Sequence, residues 1–295
     1  DHVITSELEH NSVSRPLRAL ELAGRISVTK ARADGGGFID PHDVARAVTS
    51  KTRLIVLPHA SNVLGTLQPI AEVGGIAREH DLLFLVDAAQ SAGIVPIHVR
   101  EMNIDLLAFP GHKSLFGPTG TGALYVGPRA RLRAWREGGT GGDSSNPTQP
   151  SEFPHFLEGG TPNVHGVVGL MEGVRYVQSR GIDPLRNHEL DLVEQIARWA
   201  AESGQYRVHG KFDRRTHVGT ISLSTPALPA TEIGAILDEA FDIAIRPGLH
   251  CAPYIHRALG TFPDGTVRVS PGPFNTAEEV STLCTALAEI AAEAG

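Results

Sequence analysis

The sequence predicts an α/β protein: a mostly parallel sheet sandwiched by helices, followed by a smaller α+β C-terminal domain. Three observations carry that expectation. Short runs rich in Leu, Ile and Val alternate with amphipathic stretches, and each intervening stretch is long enough for a crossover helix. Beyond roughly residue 201 the order changes to shorter, mixed elements.

The elements follow in order. VITS reads as a strand and SVSRPLRALELAG as the helix after it. RISVTKA is a second strand, followed by the helical DPHDVARAVTS. RLIVLPHA leads to the helical IAEVGGIAREH, and LLFLVDAAQ, IDLLAFPG and GALYVG are further strands. GGTGGDSSNPTQPSEFP, residues 138–154, reads as a mobile loop, and GGTGG lacks the strand–turn–helix setting of a phosphate loop. A long helical pattern from Val167 to about Ala201 breaks at GIDP, residues 181–184. YRVHG, HVGTISLS, IAIRPG and VRVSPG then read as strands, with helices at TEIGAILDEA and from Thr276 to Ala294. The expected division is a large domain over residues 1–185 and a small one over 186–295.

Composition narrows the function. A net charge of -7 argues against a nucleic-acid or anionic-membrane partner, since both select a basic face. No apolar run approaches the roughly 20 residues that span a bilayer. Two cysteines make no disulfide framework, so a reducing cytoplasm is expected, and no metal site is expected. The chain opens DHVITSELEH, without methionine and directly into a strand, so an N-terminal portion is expected to be absent.

The chemistry concentrates at strand ends, where open parallel sheets form their ligand crevice. Asp87 closes the apolar run LLFLVD, and Lys113, one of only four lysines, follows the next strand. Taken alone, Asp87 also reads as a helix N-cap and Lys113 as a solvated loop charge. Together they meet the needs of pyridoxal phosphate: an amine for covalent attachment and an acid that keeps the pyridine nitrogen protonated. A lysine serves this way when burial and neighbours lower its pKa.

Seven ordered segments then bear a family likeness: SELEHNS, HASNVLGT, VDAAQSAG, FPGHKSLFGPTG, EGGTPN, RPGLHCAP and RVSPGPFNT. Across essentially the whole chain they resemble class V, fold-type-I pyridoxal phosphate enzymes, and more narrowly cysteine desulfurases of the SufS/selenocysteine lyase type. The resemblance makes Lys113 the covalent cofactor lysine, Asp87 the ring-nitrogen partner and His10 the residue stacked on the ring. It implies cofactor contacts for Asn62, Gln90 and His112, and a phosphate contact from Thr161 across a homodimer interface. Arg268 and Arg246, with Asn62, are implied to bind the substrate, the arginines through its carboxylate. Singly, His10 reads as a surface or cap histidine, Asn62 as a turn residue and the arginines as solvated strand-end charges. Two departures bear on phosphate binding: Pro110 stands where the family carries Ser or Thr, and the family's phosphate-binding segment upstream of His10 is not in this chain.

The two cysteines read differently. Val280, Leu283, Cys284 and Leu287 share helical spacing, which places Cys284 in a core. Cys251 lies in a Gly/Pro-flanked loop beside His250 and five residues after Arg246, and the family likeness makes it the sulfur-accepting nucleophile. The implied activity is conversion of L-cysteine to L-alanine, with Lys113 moving the Cα proton and sulfur leaving as a persulfide on Cys251 for an acceptor protein or thiol. Selenocysteine is a second expected substrate, and iron–sulfur cluster assembly, thiolation and selenium metabolism are open destinations. A class V aminotransferase or lyase without sulfur transfer is the alternative, followed by a cofactor-free scaffold.

Overall fold

A computed structural model describes residues 1–142 and 145–294. The N-terminal sheet has six strands in the order β2-β1-β3-β4-β5-β6: β1 (His2–Ser6), β2 (Ser27–Ala31), β3 (Thr52–Pro58), β4 (Leu83–Asp87), β5 (Leu106–Pro110) and β6 (Gly122–Val126). The first five are mutually parallel and β6 closes the edge antiparallel to β5. Helices α1 (Asn11–Leu22), α2 (Pro41–Arg46) and α3 (Ile70–Glu79) fall between strands, as the alternating apolar pattern requires. Local chemistry sets their starts: the Asp40 side chain accepts from His42 N, with Pro41 in the first turn.

The predicted break in the long helical pattern is a single residue. α4 (Val164–Arg180) and α5 (Ile182–Ser203) meet at Gly181, whose φ of 83° lies in the left-handed region that glycine enters without a β-carbon penalty. α5 carries Leu185 into a cluster with Ala60, Ile94, Val177 and Val218. Two turns on, its Leu192, Val193 and Ile196 enter the core of the C-terminal sheet. The expected division at 185/186 therefore falls in the first turn of α5.

The second sheet is antiparallel, ordered β7-β8-β10-β9: β7 (Arg207–His209), β8 (Ile221–Ser224), β9 (Arg246–Gly248) and β10 (Thr266–Val269). α6 (Ala230–Phe241) and α8 (Ala277–Ala294) share its core, the latter beginning one residue later than expected. Between β9 and β10, α7 (Pro253–Leu259) and the residue before it send Ile255 and Ala252 into the core of the first sheet. Residues 138–142 and 145–154 carry neither helix nor strand, and residues 143 and 144 of that predicted loop lie outside the described residues.

The N-terminal core centres on Phe84, fully buried on β4 among Ile4, Ile55, Leu57 and Val86. Phe84→Ala should destabilise the fold by about 3–5 kcal/mol through lost burial and a residual cavity. A lower urea midpoint with an unchanged slope is the expected reading, and an unshifted midpoint would contradict this packing.

Candidate active site

Parallel strands β3, β4 and β5 end side by side, with Pro58 paired to Asp87 and Asp87 to Ala108. A cavity of about 900 Å³ opens at those ends, lined by Pro58, Asp87, Ala108 and Pro110. That size falls in the ~300–1,000 Å³ range of small-molecule sites. Eight of the ten sequence-predicted residues line it: His10, Asn62, Asp87, Gln90, His112, Lys113, Arg246 and Arg268. Cys251 and Thr161 do not.

Asp87 terminates β4, and its Oδ1 accepts from Ala89 N at 2.9 Å. Residues 88–95 run on as turns, so the carboxylate caps a turn and starts no helix. Lys113 lies three residues beyond β5 in a loop closed by Gly117 N donating to Gly111 O at 2.7 Å and Phe116 N to Lys113 O at 2.8 Å. Two glycines clamp that loop from opposite sides. A β-carbon at Gly93 would stand 2.5 Å from Ser114 O, and one at Gly173 of α4 would overlap Leu115 O.

Among the described residues the Lys113 amine has no hydrogen-bond or ion-pair partner. Burial pulls its pKa below the ordinary lysine value; the Asp87 charge opposes this, and Arg268 and Arg246 reinforce it. His10 satisfies both of its sequence readings. Its Nδ1 accepts from Ser12 N at 3.1 Å as the N-cap of α1, while its ring lines the cavity. Burial and then Lys113 lower its pKa, leaving a neutral ring against the site.

Asn62 and the two arginines tie the cavity to the Cys251 loop. Asn62, only 7% exposed, donates from Nδ2 to His250 O at 2.6 Å and accepts Arg268 Nη1 on its own carbonyl at 2.9 Å. Arg268 Nε is buried without a partner, and burial lowers the guanidinium's pKa to about 10, with Arg246 adding to the effect. Arg246 Nη2 donates to Cys251 Sγ at 3.2 Å. His250 and Cys251 hold consecutive left-handed conformations, φ 50° and 59°, unusual for residues with a β-carbon. The strained pair is pinned because Cys251 O also accepts from Asn11 N at 2.7 Å, at the start of α1.

The remaining predicted residues sit apart. Cys284 is buried in the second core and burial raises its thiol to about 11, as its helical spacing suggests. Thr161 is exposed, three residues before α4. Two acids went unnoticed in the sequence. Glu9 is fully buried; Ser6 Oγ donates to its Oε1 at 3.0 Å while Oε2 has no partner. Burial raises its pKa to about 8, opposed by the Ser6 hydrogen bond and reinforced by the charge of Asp87. Glu189 on α5 lines the cavity, and burial raises it to about 8 as well. The available signal for Glu9 was an acid three residues past the apolar strand VITS, next to the apolar Leu8.

The donor set fits pyridoxal phosphate. An amine with no protein partner, an acid whose charge reaches that amine, a neutral histidine ring and the apolar walls Leu8, Leu85, Ile94 and Phe109 suit a flat heteroaromatic ring. Among the lining residues His112 and Ser114 offer groups that a phosphate could accept from, whereas Pro110 supplies neither hydroxyl nor N–H. Among the described residues no group of three or more His, Cys, Asp or Glu is placed to hold a metal ion.

Comparison with known proteins places this geometry in context. Residues 1–283 match the model of the aminotransferase class-V family. A probable cysteine desulfurase of Methanothermobacter thermautotrophicus is 36% identical over 296 residues, covering 99% of this chain and 73% of that protein. One from Pyrococcus abyssi is 31% identical, covering 98% and 72%. The apo structure of a cysteine desulfurase from Thermococcus onnurineus NA1 superposes with a TM-score of 0.88 at 31% identity, over 99% of this chain and 73% of its own.

The buried acids give the site a pH signature. A carboxyl whose pKa rises on folding from 4.5 to about 8 stabilises the fold fully below the unfolded value and loses that contribution as pH climbs through the folded one. Glu9→Gln or Glu189→Gln should therefore flatten the fall in Tm between those limits. Variant and wild-type curves that run parallel across the window would contradict the buried, neutral state.

Proposed function

The chain belongs to the aminotransferase class-V family, and from that premise we infer that it is a pyridoxal-phosphate-dependent cysteine desulfurase. One observation carries the sulfur chemistry beyond general amino-acid chemistry: Arg246 lines the cavity and also donates to the thiol of Cys251. A thiol held by a cavity arginine has no role in plain amino-group transfer.

When bound, pyridoxal phosphate supplies a carbonyl carbon that captures amines and a ring that draws electrons from the adjoining carbon. Lys113 would hold it through its amine, Asp87 would keep the proton on its ring nitrogen, and His10 would lie against its face. Gln90, Asn62 and His112 are proposed as further contacts, with Thr161 reaching the phosphate of a second subunit. Arg268 and Arg246 are proposed to grip the carboxylate of L-cysteine, the orphaned Nε of Arg268 being a donor in search of an acceptor.

The Lys113 amine, its pKa lowered by burial, is proposed to take the proton from the substrate Cα. The thiolate of Cys251 attacks the substrate sulfur: an S–S bond forms on Cys251 and the Cβ–S bond breaks. Protonation of the remaining carbons yields L-alanine, so cysteine plus thiol gives alanine plus persulfide with every atom accounted for. The substrate carbon is reduced and its sulfur oxidised, and no external redox partner is needed. Selenocysteine would meet the same donors.

We further read residues 1–185 as the cofactor-binding domain and 186–295 as the small domain, supported by two sheets with separate cores. A homodimer is supported by α4, where Val164, Val167, Val168 and Met171 form one exposed apolar stripe at helical spacing beside Thr161. Among the described residues no helix is long and apolar enough to cross a membrane. Two unpaired cysteines support a reducing, cytoplasmic setting.

Cys251→Ala should abolish alanine formation from L-cysteine, by at least ~100-fold, while leaving the visible absorbance of the bound cofactor. Lys113→Ala should remove that absorbance together with borohydride trapping, and turnover by Cys251→Ala would overturn the mechanism. For the assembly, light scattering should report a dimer that Val167→Asp with Val168→Asp converts to monomer. A monomeric wild type at micromolar concentration would sink that reading.

A further inference from the structure

Cys251 does not line the large cavity; it lines a second groove of about 340 Å³. One wall is a single face of α1, where Asn11, Ser14, Arg15 and Arg18 recur at helical spacing. The opposite wall includes Tyr254, and Lys30 Nζ sits 4.4 Å from the centre of its ring. No Asp or Glu lines the groove. Arg15 has no hydrogen-bond or ion-pair partner among the described residues. Arg18 pairs with Glu21 at 2.5 Å on the exposed side of α1, an ion pair too solvated to neutralise it. Two arginines on one wall and Lys30 beside Tyr254, against one carboxylate, make the groove locally basic in a chain of net charge -7.

We propose that this groove docks a carboxylate-rich segment of a partner protein whose own cysteine takes the sulfur from Cys251. The inference rests on the desulfurase reading and names the partner of that same thiol. The α1 face from Asn11 to Arg18 runs about 10 Å at the helical rise, the span of roughly three extended residues, which exceeds a small thiol. The step balances without an added reagent. The partner's thiolate attacks the outer sulfur of the persulfide, a new S–S bond forms on the partner, the S–S bond to Cys251 breaks, and Cys251 leaves as thiolate. Arg246 Nη2, 3.2 Å from Sγ, is placed to donate to that leaving sulfur.

The test starts from protein loaded with pyridoxal phosphate and exposed to L-cysteine without acceptor, counting alanine formed per chain. Persulfide transfer is then followed by mass to synthetic peptides bearing one cysteine flanked by Glu, Gln or Lys, and to mercaptosuccinate as a small anionic thiol. The Glu peptide should react about tenfold or more faster than the Gln peptide at low salt, with the advantage lost at high salt. Arg15→Glu with Arg18→Glu should invert the preference toward the Lys peptide while forming the same alanine per chain, which also certifies that the variant is folded. Charge-blind transfer, or a preference that survives charge reversal, overturns the docking groove. Mercaptosuccinate matching the Glu peptide, with the same arginine dependence, overturns the protein partner. Absence of alanine in the loading step instead removes the desulfurase reading itself.

Discussion

The site depends on the electrostatic influence of the Asp87 carboxylate on the part-buried amine of Lys113, both lining one cavity at the ends of adjoining parallel strands. Burial disfavours the charged amine, and Asp87 is the neighbour that resists this, while two arginines push the same way as burial. An amine balanced like this is neither a fully solvated lysine nor a locked ion pair. It is free to bond covalently and to move a proton, and those are the demands of its chemistry. The parallel register supplies the geometry, because Asp87 pairs with Ala108 only two residues from the end of β5.

The thiol is held by a different logic. Cys251 sits in a strained loop of the C-terminal half, yet its restraints come from the N-terminal half: Asn11 on its carbonyl and Asn62 on that of His250. Packing of Ala252 and Ile255 into the first core fastens the same loop from behind. Arg246 spans the wall between cavity and groove, touching the sulfur from one side and the substrate space from the other. The sulfur itself lines the groove, while the arginine that donates to it lines the cavity.

Two buried carboxyls, Glu9 and Glu189, lie near the site. Glu9 lies three residues past β1, next to Leu8, so the segment that carries Ile4 and Leu8 into the core carries the acid with it. Held neutral, it avoids adding a second negative charge near that of Asp87. Glu189 reaches the same cavity from α5, the helix that bridges the two cores.

The sequence alone determined the alternation of strands and crossovers, the parallel sheet, and the pairing of Lys113 with Asp87. Each depends on local composition or on distance from a strand end. The break at Gly181 and the burial of Cys284 were legible for the same reason, being consequences of one residue's backbone freedom and of one helix's spacing. Glu9, Glu189 and the basic groove were not. Burial of an acid and the gathering of Arg15, Arg18 and Lys30 about one groove depend on which distant segments pack together, and residues 11–18, 30 and 249–254 share no local pattern. Only the tertiary fold decided that Cys251 would open away from the cavity that its arginine lines, because loop direction is set by contacts across more than two hundred residues of chain.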